Sequence, residues 1–267
     1  ELDQESNKIK IRLNSTVISA KHKDNDLKKN VEISYIRDGK IYTVESKKCI
    51  MACYNALIPH LCPEMSESQK KSLKNCVRAP LVYTNVLIRN WQSFVNLGIQ
   101  RVDMPGFLHH HVRLDFPISM GDYKFSSDPS KPVILHLQSV PGEYGNPSAK
   151  EQFVAGQKKL LQTTFEEFEE SIREQLTRLL SAGGFDASED ILGITVNRWP
   201  HGYAYGYDPE TDQVAFDTES FHPTKRNWIK ASKQFGNIAI ASSDSASNAM
   251  TEAAIVEAER AVNQLKE

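Results

Sequence analysis

The residues best placed for chemistry lie in the last 32 positions of the chain. Gly236–Ala241 predicts a short apolar strand, Ser242–Ser247 a turn that includes Ser243 and Asp244, and Met250–Leu265 a helix. Free backbone N–H groups and the dipole at a helix start attract anions and polar ring systems. The segment therefore predicts either a ligand site at the helix start or an ordinary β–α unit.

A second candidate is the aromatic run from Trp199 to Tyr207. Strand alternation puts Tyr203, Tyr205 and Tyr207 on one face, where their rings either attract an amine or pack together as a core cluster. His201 is the titratable group of this run with an ordinary pKa near neutrality, so it is the candidate for proton transfer.

Carboxylates and histidines between residues 98 and 150 form a third set, in a stretch whose Pro, Gly, His and Asp content predicts loops. Asp115 and Asp122 flank FPISMG, where they either attract a polyamine cation or cap turns in solvent. Consecutive residues of an extended chain point to opposite faces, which makes His109–His111 poor joint metal ligands. We predict a polar loop there and no metal site.

Composition narrows the class of protein. The 267 residues form one large or two small domains, and 34 acidic against 32 basic side chains exclude a dedicated nucleic-acid binder. No apolar run reaches the roughly 20 residues of a membrane helix, so we expect a soluble chain. Neither G-x-G-x-x-G nor a P-loop occurs, and the start at Glu1 leads us to expect a trimmed or processed piece.

The spacing of the four cysteines matches no zinc-binding pattern. We expect buried free thiols or one disulfide among Cys49, Cys53, Cys62 and Cys76.

The elements that must position these groups follow from hydrophobic periodicity. Residues 8–20 predict a strand, Asp38-Gly39 a hairpin, and Cys49–Cys53 a strand covered on both faces. Strands are also predicted at residues 81–88, 133–140 and 191–198, and Ser66 is a predicted helix cap. Residues 151–181 predict one continuous helix of about 45 Å. Its apolar stripe comprises Leu161, Phe165, Phe168, Ile172, Leu176 and Leu179.

The segment GNIAIASSDSASNAMTEAAIVEAERAV resembles the closing segment of flavin-containing amine oxidoreductases. In that family the turn approaches the ribityl and phosphate part of FAD, and the helix start faces the pyrimidine end of the flavin. The resemblance therefore implies FAD-binding roles for Ser243 and Asp244 in the turn, and for Met250 and Thr251 at the helix start.

Other blocks resemble the same family in the same order. RLNSTV, the meander after it and CIMACYN imply that Val17 meets the adenine and that Ala52 lies beneath the dinucleotide. RWPHGYAY is similar to a W-x-x-G-x-Y segment that places aromatic rings on the substrate side of the flavin. This implies a cofactor contact for Trp199 and catalytic roles for His201, Tyr203 and Tyr205. CIMACYN, PLVYTNV, LDFPIS and NRWPHGYAYGY are more similar still to bacterial spermidine dehydrogenase-like proteins.

Two departures from the family shape the expected reaction. The glycine-rich first βαβ unit has no counterpart, so an N-terminal FAD-binding half on the same gene product or a second chain is expected. Classical amine oxidases carry a Lys on the strand that here reads Leu81–Val86, with Thr84 or Asn85 nearest its place. Asn85 is therefore a catalytic candidate, and the missing Lys favours a dehydrogenase over an oxygen-using oxidase.

The resemblance implies an α/β fold that combines the second half of a Rossmann-like FAD domain with a mixed-sheet substrate domain. Residues 1–56 and 199–267 would belong to the FAD domain and 57–198 to the substrate domain. The implied activity is FAD-dependent oxidation of a polyamine-like amine, in the bacterial cytoplasm or periplasm, by a chain that is inactive without its other half. The alternative is a non-catalytic domain of the same descent that binds a small molecule or a protein.

Overall fold

The computed structural model describes residues 3–4, 6–115, 118–143, 145–146, 148–204 and 226–266. It combines helices and sheets, which confirms the predicted α/β class. The strands are β1 (Thr16–His22), β2 (Val31–Arg37), β3 (Lys40–Ser46), β4 (Cys49–Met51), β5 (Arg78–Ile88), β6 (Arg101–Asp103), β7 (His111–Leu114), β8 (Val133–Ser139), β9 (Ile191–Ala204) and β10 (Ile238–Ile240). The helices are α1 (Ile58–Leu61), α2 (Glu67–Lys74), α3 (Gln92–Leu97), α4 (Ala149–Gln162), α5 (Phe165–Leu180), α6 (Ala187–Asp190), α7 (Asn227–Ala231), α8 (Ser243–Ala246) and α9 (Thr251–Lys266).

The chain divides into two compact units, which are described separately. Unit 1 comprises Glu1–Val77 with Ala204–Glu267, and unit 2 comprises Arg78–Tyr203. These limits differ from the predicted boundaries after residues 56 and 198, and the cofactor and substrate roles of the segments stay predictions.

Unit 1 contains a three-stranded antiparallel meander in the order β1-β2-β3. Asp38 and Gly39 link β2 to β3 with φ angles of +51° and +71°, as a tight hairpin turn requires, which confirms the predicted hairpin. The prediction that a strand covers residues 8–20 is wrong at its start, because β1 begins at Thr16. The left-handed backbone of Asn14, with φ of +52°, interrupts the extended run.

A second sheet of unit 1 pairs β4 with β10 in parallel. β10 is fully buried, whereas Ile50 in β4 is 40% exposed, so the prediction that β4 is covered on both faces is wrong. α9 packs on β10 through Ala261, whereas Ala258 is exposed. Ser66 Oγ accepts a hydrogen bond from Gln69 N at 3.3 Å, which confirms the predicted cap of α2.

A buried histidine joins the meander to the start of β10. His22 Nε2 accepts a hydrogen bond from Asn237 N at 2.9 Å, so the ring proton lies on Nδ1, 2.5 Å from Glu64 Oε1. Gly236, with φ of +53°, precedes this contact, and a Cβ there would lie 2.6 Å from His22 Nε2. The close approach of the chain to His22 therefore requires glycine.

Unit 2 is built on a five-stranded sheet in the order β6-β7-β8-β5-β9. The pairs β6–β7, β7–β8 and β5–β8 of the sheet predicted to be mixed are antiparallel. One face packs on α5 in an apolar core that includes Val82, Val86, Leu135, Leu137, Phe168, Ile172 and Leu176. Strand alternation places a polar set of side chains on the other face.

The predicted continuous helix over residues 151–181 is wrong, because α4 and α5 are separate helices. Thr163 and Thr164 have extended backbone between them. Thr164 Oγ1 accepts from Glu167 N at 3.2 Å, and Thr164 N donates to Glu167 Oε2 at 2.7 Å, which forms a capping box. The break shifts the phase of the helix, so Leu161 and Phe165 of the predicted stripe are exposed and Leu160 is buried instead.

The cysteines form no disulfide, and burial raises the pKa of Cys62 to about 12. None of the described helices is both long and apolar enough to cross a membrane. Within the same described residues, no cluster of three or more His, Cys, Asp or Glu side chains has the arrangement of a metal site.

Candidate functional site

The candidate site of unit 2 is a cluster of polar side chains on the face of the sheet opposite α5. Strand register aligns its side chains in two rows that cross four strands. We call this surface the polar face. One row is Arg101–Arg113–His136–Asn85, and the other is Asp103–His111–Gln138–Tyr83.

His136 lies inside the first row, directly between Arg113 on β7 and Asn85 on β5. Its Nδ1 is 3.0 Å from Asn85 Oδ1, and its ring packs against the Tyr83 ring with centroids 5.1 Å apart. Partial burial, followed by the charge of Arg113, lowers the pKa of His136 below its ordinary value. The imidazole is therefore neutral at pH 7.

Tyr83 and Tyr203 share a short hydrogen bond between their hydroxyl groups. Burial, and then the Tyr203 hydroxyl, raise the pKa of Tyr83 to about 12, so its phenol stays protonated at neutral pH. Gly202 makes this pairing possible, because a Cβ there would lie 2.7 Å from Leu81 Cβ and push β9 away from β5. Asn197 Nδ2 fixes the same strand by donating to Tyr83 O at 3.1 Å.

The predicted catalytic residues of unit 2 separate into two places. Asn85 is on the polar face, and Tyr203 meets Tyr83 of that face through their hydroxyl groups. His201 instead meets α4, where its Nδ1 is 3.4 Å from Gln157 Nε2. Tyr205, together with Tyr207, lies outside the described residues.

The other predicted contacts of unit 2 also differ in position. Asp115 follows β7, donates its backbone N–H to Ile134 O at 2.9 Å, and acts electrostatically on His136. Asp122 is exposed in the turn closed by the bridge between Met120 and Tyr123. Trp199 is a half-exposed residue of β9.

The three consecutive histidines do not converge. His109 is buried, and its Nε2 lies 2.8 Å from Thr84 Oγ1. Burial lowers the pKa of His109 to about 4. His111 belongs to the polar face, where its Nδ1 is 2.7 Å from Asp103 Oδ1.

The predicted cofactor residues of unit 1 gather where two parallel strands end. Ala52 follows β4, and Ser243 and Asp244 follow β10, so the parallel pairing brings them to one edge. Asp244 is buried, and its Oδ2 accepts from Asn55 N at 2.9 Å. The carboxylate thereby fixes the turn after β10 to the segment after β4.

The remaining cofactor candidates flank this edge or lie in the meander. Met250 N donates to Asn248 Oδ1 at 3.2 Å, and α9 begins at Thr251. Val17 is a partly exposed residue of β1, beside a bulge between Val17 and Ser19.

Sequence reasoning missed six members of the polar face: Tyr83, Arg101, Asp103, Arg113, His136 and Gln138. A signal for three of them was present: in VILHLQS, His136 and Gln138 alternate with the buried Leu135 and Leu137, and in LVYTNVLI, Tyr83 lies two positions from Asn85. Alternation gives the face of each residue but not the register between strands, so the rows were not predictable.

No protein-family model matches the sequence, and no curated protein matches it either. The fold is nevertheless that of solved oxidase structures. Putrescine oxidase bound to putrescine has a TM-score of 0.61 and 15% identity, covering 95% of this chain and 49% of that one. A cofactor-binding variant of putrescine oxidase, with alanine replaced by cysteine, has a TM-score of 0.63 and 14% identity, covering 95% and 48%. The chain therefore spans about half the length of these structures.

Proposed function

We propose that the chain is the C-terminal part of an FAD-dependent amine oxidoreductase of the spermidine dehydrogenase type. The observation that carries this proposal is the fold shared with putrescine oxidase over 95% of the chain. The sequence resemblance supports the same assignment, and the polar face supplies aromatic and polar groups that suit an amine.

The strand-end edge of unit 1 has features that suit FAD. The turn after β10 is fixed by the buried Asp244, and the start of α9 directly follows it. Ser245 Oγ in that turn is buried without a hydrogen-bond partner among the described residues, as expected of a group with an outside partner. Ser243, Asp244, Met250 and Thr251 would hold the cofactor there, with Val17 and Ala52 as the further unit 1 contacts proposed from the resemblance. The cofactor contact of Trp199, a residue of unit 2, is proposed from the resemblance alone.

FAD, when bound, supplies the acceptor for the hydride that leaves the amine carbon. The chain's own residues would bind and orient the amine. Tyr83 and His136 on the polar face, with Tyr203 beside Tyr83, offer ring faces and hydrogen-bonding atoms, and Asp115 adds a negative charge near His136. The resemblance places the Lys of classical oxidases nearest Thr84 or Asn85, and the lack of a Lys at either position favours a dehydrogenase.

A glycine-rich FAD-binding half is the proposed partner of unit 1. The matching structures contain a further half that this chain does not cover. The outward side of α9 presents Ile255 and Val262, 63% and 43% exposed, one turn either side of the exposed Ala258. An apolar stripe of this kind packs against another layer in α/β folds, and the missing half would supply that layer.

The test is a visible absorption spectrum of the protein purified at its full encoded length, before and after anaerobic addition of spermidine. Flavin bands that bleach with spermidine or putrescine support the proposal. A colourless protein, or bands that neither amine bleaches, would contradict it and favour a non-catalytic binding domain.

A matched pair of variants tests the cofactor site. Ser245→Ala removes a hydroxyl from the turn, and we expect it to weaken FAD binding about 2–13-fold, the effect of one hydrogen bond. Ser232→Ala removes another buried hydroxyl of unit 1 that has no hydrogen-bond partner in the described part of the chain, and it should leave FAD affinity unchanged. Equal effects of the two substitutions would argue against a role of the turn.

A further inference from the structure

We propose that the polar face binds a primary amine through a hydrogen bond from the amine N–H to His136 Nε2. In this proposal Asn85 is a positioning residue, because it holds the imidazole as the Nδ1–H tautomer. The amine as ligand class rests on the proposed function; the tautomer and the acceptor atom rest on the geometry of the polar face.

The tautomer follows from the pairing of His136 with Asn85. An amide oxygen only accepts hydrogen bonds, so Asn85 Oδ1, 3.0 Å away, requires a proton on His136 Nδ1. A neutral imidazole carries one ring proton, which leaves the lone pair of Nε2 available as an acceptor.

The surroundings of His136 keep the ring neutral. Burial and the positive charge of Arg113 both lower the pKa of His136, His111 lowers it further, and Asp115 opposes them. Tyr83 on β5 stays protonated at neutral pH, so it adds no charge to this environment. His136 Nε2 is therefore a hydrogen-bond acceptor at pH 7, on a face where Arg113 can only donate.

An amine N–H group complements this arrangement. A primary amine donates to Nε2 whether it is neutral or an ammonium ion, and the Tyr83 ring packed against His136 offers an adjacent apolar and cation-binding surface. A quaternary ammonium has the charge but no N–H, so it would not form this bond. Protonation of His136 turns Nε2 into a donor, so amine affinity must fall as the pH drops through the pKa of His136.

The test is nitrogen NMR of the full chain labelled with ¹⁵N-histidine, titrated with butylamine and, separately, with butyltrimethylammonium. We expect His136 to show the Nδ1–H tautomer and its Nε2 signal to shift with butylamine only. The butylamine affinity should fall at least tenfold when the pH is lowered one unit or more below the pKa of His136 measured in the same experiment.

Two variants separate the role of Asn85 from general effects on the sheet. Asn85→Leu should mix the tautomers of His136 and weaken butylamine binding about fivefold. Gln138→Leu removes an amide from the other row and should leave the His136 tautomer unchanged.

The proposal is overturned by the Nε2–H tautomer, by equal shifts with both probes, or by no shift with butylamine. Bleaching of flavin by spermidine is a separate measurement, so the proposed function survives such a result. Conversely, a shift selective for butylamine without flavin bleaching would support the amine site and refute the oxidoreductase.

Discussion

Replacing Gly236 by alanine tests whether the contact between His22 and Asn237 stabilises unit 1. Gly236 has φ of +53°, and left-handed backbone costs about 1–2 kcal/mol in a residue with a Cβ. That Cβ would lie 2.6 Å from His22 Nε2, 2.7 Å from Leu27 O and 2.9 Å from Leu27 Cβ. Overpacking of this kind adds about 1–3 kcal/mol, so we expect Gly236→Ala to destabilise unit 1 by about 2–5 kcal/mol.

Gly39→Ala is the matched control, since Gly39 has φ of +71° and no atom of the described residues lies within 4 Å of an added Cβ. It should show the backbone effect alone, about 1–2 kcal/mol. Amide hydrogen exchange of the β4 and β10 peptides is the assay, because it reports local opening of unit 1 separately from unit 2. The difference of about 1–3 kcal/mol corresponds to exchange about 5–150-fold faster in Gly236→Ala than in Gly39→Ala. Equal exchange in the two variants would refute the argument from close packing.

Three further predictions concern buried or paired groups. Burial lowers the pKa of His109 to about 4, below the pKa of a histidine in the unfolded chain. As the pH falls, the unfolded state therefore binds a proton at His109 before the folded state does. Stability should fall by about 3 kcal/mol between pH 6.5 and 4, and urea midpoints of His109→Gln should lack this part of the slope. Tyr203→Phe should lower the pKa of Tyr83 from about 12 towards 10, and an unchanged alkaline ultraviolet titration would contradict the hydroxyl pairing. Asp244→Ala should destabilise the chain by about 1–3 kcal/mol in urea unfolding, whereas Asp244→Asn, which keeps an acceptor for Asn55 N, should change it far less.

Local signals in the sequence predicted the local structure well. Asp38-Gly39 determines a hairpin because both residues adopt positive φ, and Ser66 caps α2 through its own hydroxyl. The break between α4 and α5 also had a local signal, the T-x-x-E pattern from Thr164 to Glu167, which a longer apolar periodicity obscured.

Features that depend on pairing between distant segments were not predictable. Asn85 and His136 are 51 positions apart, and only the register of β5 on β8 places them side by side. His201 and Tyr203 are two positions apart on one strand, yet one meets α4 and the other meets Tyr83. Strict alternation would have placed them together, so the side-chain contacts had to come from the structure.

The pairing of β4 with β10 also sets an order for folding. Asn55 and Asp244, which bond where these strands end, are 189 positions apart, while all of unit 2 is contiguous. During synthesis, unit 2 is complete before β10 has been made, so β4 has no parallel partner until the end of synthesis. Long-range parallel pairing forms slowly. Unit 1 is therefore the part of the nascent chain most prone to aggregate and to bind chaperones.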